Sequence, residues 1–301
     1  AGPVSALAVT PDGATVLSAG GAPTGGARVA AWGLSDGKLI RSFQPGAESD
    51  RPASVAASPD GRLALTATAG GAGVLSDVAT GREVRRLAGH PGGMTAAAFS
   101  PDGTRAVTAG GDKTVRVWDV ATADEVRRWT AGTAVSGLAV AGDGSAVVAA
   151  GEDGTFTVWN LASGEKAAAW KTPGPAGGHR VALTPDGKQV VSARGRVFVW
   201  ETGTGKLLKT LDHFANDALT VAVSPDGRRA ASGGADGRVY VWQLAAGELA
   251  VTLAEHTGPV RAVAFSPTGR YLLTAGGAPP AGDYAIRRFD LLPIDTRANR
   301  K

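Results

Sequence analysis

A four-residue turn signature recurs seven times along this chain of 301 residues, and it constrains the fold more than any other feature. A well-formed copy is Ser100-Pro101-Asp102-Gly103, and the weakest is Ala141-Gly142-Asp143-Gly144. The last glycine of each copy lies at position 13, 61, 103, 144, 187, 227 or 269, so successive copies are 40 to 48 residues apart. Seven copies at this period predict an all-β fold, a seven-bladed β-propeller built from four-stranded antiparallel blades.

Each repeat has the residues that such a blade needs. An apolar run such as residues 221–223 precedes the turn and predicts the innermost strand, a. Ser-Pro-Asp-Gly suits a type I turn, because proline presets φ at its second position. Strands b, c and d are predicted, in their clearest copies, over residues 105–108, 114–118 and 83–87. Loose alternation of apolar and polar residues in strands a to c indicates sheets covered on both faces, here by neighbouring blades.

Composition narrows the class of protein. The chain has no cysteine, which excludes disulfides, thiolate chemistry and cysteine-ligated zinc. Its net charge of +4 is small for this length, and no apolar run approaches the roughly 18 residues of a membrane helix. The repeats predict one propeller over residues 1–292, and the charges near the C-terminus predict a basic tail over 293–301. The start, Ala1-Gly2-Pro3, fits a processed exported protein or a fragment of a longer, cytoplasmic chain equally well.

The best copy of the repeat resembles a known family. Gly89-His90, the turn ending at Gly103 and Val117-Trp118-Asp119 are similar to WD40 repeats, and the resemblance covers essentially the whole chain. It implies a hydrogen-bonded tetrad of a His, a strand-b Ser or Thr, a turn Asp and a strand-c Trp. By position the members are His90, Thr108, Asp112 and Trp118 in blade three, His213, Ser232, Asp236 and Trp242 in blade six, and His256, Thr274 and Asp283 in blade seven. Blade seven has Phe289 in place of Trp, and the other blades lack at least one member.

No residue pattern indicates catalysis. Three of the four histidines occupy the Gly-His position of the repeat, and His179 has no metal-ligating neighbour at a useful spacing. Zincin, nucleophile-elbow and Walker-type motifs are absent from the sequence. Trp129 and Trp170 align with the last apolar position of strand d, which favours core packing over nucleic-acid binding. The sequence therefore predicts no enzyme, no metal and no cofactor.

The family resemblance implies that a partner binds the face that carries the d–a and b–c loops. The charged or polar side chains expected there are Arg51, Glu152, His179, Asp217 and Arg261. A second candidate surface comes from the enlarged b–c loops of blades one and seven, which are neighbours in a closed ring. Those loops contribute Pro23 and Thr24, and Pro279 and Pro280.

The junction between blades one and seven is a third candidate. The sequence shows seven copies of strands a to c but six obvious d strands, so the last blade is predicted to be incomplete. In many relatives the N-terminus supplies this strand, but only two residues precede Pro3. The C-terminal residues 291–300, upstream sequence or a strand added by a partner could fill the position.

These observations favour a non-enzymatic scaffold or accessory subunit that binds other proteins, with no nucleic acid and no membrane insertion. One alternative is a sensory or ligand-binding propeller cut from a larger signalling protein. Another is a propeller enzyme of the lactonase-like or quinone-dependent type, which would need convergent polar groups or metal ligands at the central channel.

Overall fold

The computed structural model of the chain describes residues 3–21, 27–46, 50–173, 177–212, 217–277 and 285–291. Within these ranges the chain forms seven antiparallel sheets and no helix. The predicted all-β, seven-bladed propeller is therefore confirmed. The described residues include no helix with the length and apolar character needed to cross a membrane.

Six blades have four strands, and blade seven has three within the described residues. Blades one to three consist of β1 (Val4–Val9), β2 (Thr15–Gly21), β3 (Ala27–Gly33), β4 (Leu39–Phe43), β5 (Pro52–Ala57), β6 (Leu63–Thr68), β7 (Gly73–Asp77), β8 (Glu83–Leu87), β9 (Met94–Phe99), β10 (Arg105–Gly110), β11 (Thr114–Asp119) and β12 (Glu125–Thr130). Blades four and five consist of β13 (Val135–Val140), β14 (Ala146–Gly151), β15 (Thr155–Asn160), β16 (Lys166–Lys171), β17 (Arg180–Leu183), β18 (Gln189–Arg194), β19 (Arg196–Glu201) and β20 (Leu207–Leu211). Blades six and seven consist of β21 (Ala218–Val223), β22 (Arg229–Gly234), β23 (Val239–Gln243), β24 (Glu248–Leu253), β25 (Val260–Phe265), β26 (Tyr271–Gly276) and β27 (Ile286–Asp290).

The hydrophobic core lies between adjacent blades. Strand β14 is buried along its whole length, because blades three and five cover its two faces. In one such layer Val107 and Val115 of blade three pack with Val147 and Trp159 of blade four. Burial on both faces explains why apolar and polar residues alternate only loosely in these strands.

The ring closes between blades one and seven. Strand β1 contacts β25 and β26, and Val4 packs in one cluster with Ala262 and Ala275. Pro267 packs onto Gly13 across this junction in the same way that Pro225 packs onto Gly269 between two ordinary blades. Side-chain packing at the junction therefore repeats the packing found elsewhere in the ring.

The outer strand of blade seven remains a prediction. Strand β27 pairs with β26, and residues 292–301 lie outside the described residues. The same holds for the division of the chain at residue 292, for the basic tail and for strand addition by a partner at this junction.

The a strands form the inner wall of the ring. Each contacts the next in the order β1, β5, β9, β13, β17, β21 and β25, and β25 contacts β1. Such a wall surrounds the central channel of a propeller. In six of the seven, the pairing with strand b shifts register near the start of the strand, as a β-bulge does. Strand β17 of blade five pairs without a shift.

Candidate functional site

The loops that connect blades lie at one end of the ring. Because the strands are antiparallel, the d–a and b–c loops of every blade meet at the end where strand a begins. We call this end the d–a face. The a–b and c–d turns form the opposite end, which we call the turn face.

Four of the five predicted contact residues are exposed on the d–a face. Arg51 directly precedes β5, Glu152 directly follows β14 and Asp217 directly precedes β21. Arg261 is the second residue of β25, at its bulge. Within the described part of the chain none of these four side chains has an ion pair or hydrogen bond. Pro23, Thr24, Pro279 and Pro280 lie outside the described residues.

His179 differs from the other predicted contact residues, because its side chain is only 1% exposed. Its ring packs edge-on against Phe156 of blade four, with 5.2 Å between the ring centroids. The prediction that His179 contacts a partner on the surface therefore disagrees with its buried position. The physical reason lies in β17, which begins at Arg180 without the bulge found in the other a strands. His179 is thus left before the strand, turned towards the interior.

The buried ring of His179 is held in its neutral form. Neither ring nitrogen has a hydrogen-bond partner within the described residues. Burial and, to a smaller extent, the nearby positive charge of Arg194 together lower the pKa of His179 to about 4. A proton on this ring would be a buried charge without compensation, which is costly.

Substitution of His179 by phenylalanine is expected to remove a pH dependence of about 2 kcal/mol in the free energy of unfolding between pH 7 and 5. As pH falls through 6.5, the unfolded chain binds a proton here, but the folded chain stays neutral until about pH 4. Stability is therefore lost over that window in the wild type. Urea unfolding of both proteins at pH 7, 6 and 5 measures the difference, and curves that fall in parallel would contradict it.

The four residues aligned as a tetrad in blade three lie in contact with one another. Trp118 Nε1 donates to Thr108 Oγ1 over 2.7 Å, and this hydroxyl lies 2.7 Å from His90 Nε2. His90 Nδ1 lies 2.9 Å from Asp112. Because the ionised carboxylate of Asp112 can only accept, the histidine proton lies on Nδ1, facing Asp112, and Nε2 accepts from the Thr108 hydroxyl. The result is a continuous chain from strand c to the b–c turn.

The electrostatics of this chain suit a neutral histidine and an ionised aspartate. Burial lowers the pKa of His90, against the opposing effect of Asp112. Burial alone would raise the pKa of Asp112, but hydrogen bonds from His90, Arg116 and Thr114 outweigh it and lower the pKa to about 2. The carboxylate therefore remains ionised and keeps accepting hydrogen bonds throughout the neutral range.

Two residues outside the predicted tetrad also hold the turn aspartate. Arg116 is 6% exposed and donates to Asp112 over 2.7 Å and to Glu125 over 3.1 Å. Tyr240 occupies the same strand-c position in blade six, and its hydroxyl donates to Asp236 over 2.8 Å. Both residues lie two positions before the strand-c Trp and pair with the strand-b Thr or Ser. This spacing is the sequence signal that could have revealed them.

Comparison with known families agrees with this geometry. The model of the family "WD40: WD domain, G-beta repeat" matches residues 81–119, 124–160, 205–243 and 247–287, which together are about half of the chain. The chain belongs to the WD40 repeat family. No curated protein matches its sequence. Each matched WD40 segment begins at or just before the d strand of one blade and continues into strand c of the next, so the sequence repeat joins neighbouring blades.

Four of the other six WD40 blades keep part of the same arrangement. In blade six Trp242 Nε1 donates to Ser232 over 2.9 Å, and in blade seven His256 Nε2 lies 2.7 Å from Thr274. His213 and Asp283 lie outside the described residues. The same Trp-to-Ser hydrogen bond joins Trp32 to Ser18 in blade one and Trp200 to Ser192 in blade five.

The tryptophans of the outer strands pack as the sequence analysis predicted. Trp129 is 8% exposed and stacks on Trp159 of the next WD40 blade, and Trp170 stacks on Phe156. Within the described residues no group of three or more His, Asp or Glu side chains is placed to hold a metal ion. The d–a face consists of loops that connect the strands of a closely packed ring.

Proposed function

We propose that this WD40 propeller is a non-enzymatic protein-interaction scaffold, or an accessory subunit, that binds a partner protein through its d–a face. WD40 propellers commonly mediate protein–protein interactions. The observation that carries the proposal is the set of exposed charges Arg51, Glu152, Asp217 and Arg261, which have no intramolecular partner among the described residues. Charges of both signs on a rigid ring orient a partner and give specificity.

The rigidity of the ring supports this role. The loops of the d–a face connect strands whose side chains are packed between blades, and the chain of hydrogen bonds through His90 ties the d–a loop of blade three to its b–c turn. A surface that is already ordered loses little conformational entropy when a partner binds. Such a platform suits a protein that positions others.

Charge reversal on the d–a face is expected to weaken partner binding by at least about tenfold, since a rim charge contributes to both orientation and association rate. The test uses the immobilised full chain as wild type and as the double variant Arg51→Glu, Glu152→Lys, with proteins of the native source as prey and mass spectrometry as readout. The melting temperature should stay unchanged, because both side chains are exposed.

The matched control is Arg228→Glu, which reverses an exposed charge in the a–b turn of blade six, on the turn face. It should capture the same partner as the wild type. A partner whose capture depends on Arg228 but not on Arg51 and Glu152 would contradict the proposed surface. Stoichiometric calcium or a quinone in the purified protein would favour the enzyme class instead.

A further inference from the structure

The inner wall of the channel is nearly without charge. The a strands, all within the described residues, contain Ala at one shared register position, represented by Ala98 and Ala182, and otherwise mostly small, apolar or hydroxyl residues. Arg180 and Arg261 are the two charged residues in these seven strands, and both are exposed. The wall therefore carries two positive charges and no carboxylate.

Arg180 is the first residue of β17, the innermost strand of blade five. Its Nη1 donates to the carbonyl oxygen of Ser136, on the a strand of blade four, over 2.6 Å. The side chain keeps solvent contact, yet desolvation by the surrounding protein lowers the pKa of its guanidinium, and no neighbouring carboxylate counteracts this. Arg180 is therefore a partly solvated cation that one backbone carbonyl holds in place.

Arg261 lies two blades further around the same wall. It stands at the bulge of β25, which turns a side chain away from the ladder. Strand β21 of blade six contacts both β17 and β25, so the two arginines flank it. Leu219, half-buried at the bulge of β21, lies between them.

Asp217, a carboxylate on this part of the d–a face, has no ion pair with either arginine. Asp217 directly precedes β21, and its Oδ1 is directed towards the b–c turn of blade five at Gly195. It has no ion pair with Arg180 or Arg261 within 4 Å. Two guanidinium groups that have no ion pair among the described residues suit an anionic ligand, because arginine presents its donors in a fork that fits carboxylates.

We propose that Arg180 and Arg261 form a carboxylate-binding site at the d–a mouth of the channel, which takes an acidic peptide segment of the partner protein. The inference rests on the proposed function and names the chemistry of the partner. Arg180 is pre-positioned by Ser136, Arg261 is free to reorient, and Leu219 offers an apolar contact between them. Binding of nucleic acid is disfavoured, since it needs many phosphate contacts and exposed aromatic residues, whereas the a strands have two cations and their phenylalanines, Phe99 and Phe265, are buried.

The test measures fluorescence anisotropy of a fluorescein-labelled hexaglutamate peptide with the full chain at low salt. Wild type should bind it, and Arg180→Gln and Arg261→Gln should each weaken binding about tenfold, as expected for the loss of one hydrogen-bonded charge pair. Asp217→Asn should bind more tightly, because a competing negative charge is removed. Arg228→Gln, at the opposite end of blade six, should match the wild type.

A second readout keeps the result independent of the folding of the variants. In the wild type, titration with hexaglutamate should shift the side-chain Nε–Hε NMR signals of Arg180 and Arg261 and leave that of Arg228 in place. Free glutarate at equal carboxylate concentration, a hexaglutamine peptide and a six-nucleotide single-stranded DNA serve as comparison ligands, and each should bind at least tenfold more weakly.

Equal binding of hexaglutamate by wild type and both arginine variants would overturn the inference, as would tighter binding of glutarate or of the oligonucleotide. These outcomes leave the proposed function standing if the partner is still captured in a way that depends on Arg51 and Glu152. Conversely, hexaglutamate could bind at the two arginines while no partner protein is captured. That result would support the carboxylate site and contradict the proposed scaffold function.

Discussion

Replacement of Trp242 by alanine should lower the free energy of unfolding by about 3–5 kcal/mol, the usual loss when a large buried aromatic side chain is truncated. Trp242 is 0% exposed and packs with Val199, Leu211 and Leu244 between blades five and six. Its truncation leaves a cavity between two sheets, and neither sheet can shift far without disturbing the next blade in the ring.

The same substitution also removes the donor to Ser232, so a conservative variant is needed to separate the two effects. Trp242→Phe keeps most of the buried apolar volume and loses the hydrogen bond, and it should cost about 1–2 kcal/mol. Ile40→Ala on the outer strand of blade one, where the side chain is 58% exposed, should change stability by less than about 0.5 kcal/mol.

Chemical denaturation followed by far-UV circular dichroism measures these differences, since the signal does not depend on the tryptophan that is removed. Hydrogen exchange should show the loss of protection concentrated in blades five and six. A change below 1 kcal/mol for Trp242→Ala would show that the interface between these blades can collapse, and that the core is less closely packed than the geometry indicates.

The sequence repeat was sufficient to predict the ring, because each copy contains the residues that form one blade and the copies are evenly spaced along the chain. A turn signature fixes where strand a ends and strand b begins, and the indole of Trp118 is bonded to Thr108, at the same two positions that Trp242 and Ser232 occupy. One such unit cannot bury both faces of its own sheet. Seven of them bury these faces by packing against their neighbours in a closed ring. The number of blades and the pairing of strands a to c could therefore be predicted without coordinates.

The site could be predicted less well, because it depends on side-chain direction. Alignment placed His179 with the bulge residues Thr95 and Arg261, whose neighbouring backbone shifts register. Strand β17 lacks that shift, so His179 turns inward and Arg180 takes the position on the channel wall. A β-bulge depends on how a strand pairs with the adjacent strand. The sequence of β17 alone therefore does not show whether β17 has a bulge.

Thr108→Val should destabilise the protein by about 2–4 kcal/mol, although valine has nearly the same shape as threonine, because two buried polar groups lose their partner at once. Trp118 Nε1 and His90 Nε2 each lie 2.7 Å from the Thr108 hydroxyl. Both side chains are at most 3% exposed, so water cannot replace the missing oxygen without opening the interface.

Thr66→Val is the matched control, because Thr66 occupies the same strand-b position in blade two. Its side chain is 0% exposed, and its hydroxyl has no partner within the described residues. Ser76 stands where blade three has Trp118, so no indole donor is present. Removing an unpartnered buried hydroxyl should leave stability unchanged or raise it by up to about 1 kcal/mol.

The comparison of the two valine variants tests the hydrogen-bond network, since strand position, burial and the chemistry of the change are the same. If Thr66→Val destabilises the protein as much as Thr108→Val, the cost arises from valine in strand b and not from the network. If neither variant is destabilised, His90 and Trp118 have found other partners, and the d–a loop of blade three is not tied to its b–c turn through Thr108. A large loss in blade three alone would mean that the buried chain from Trp118 to Asp112 holds this part of the d–a face in place.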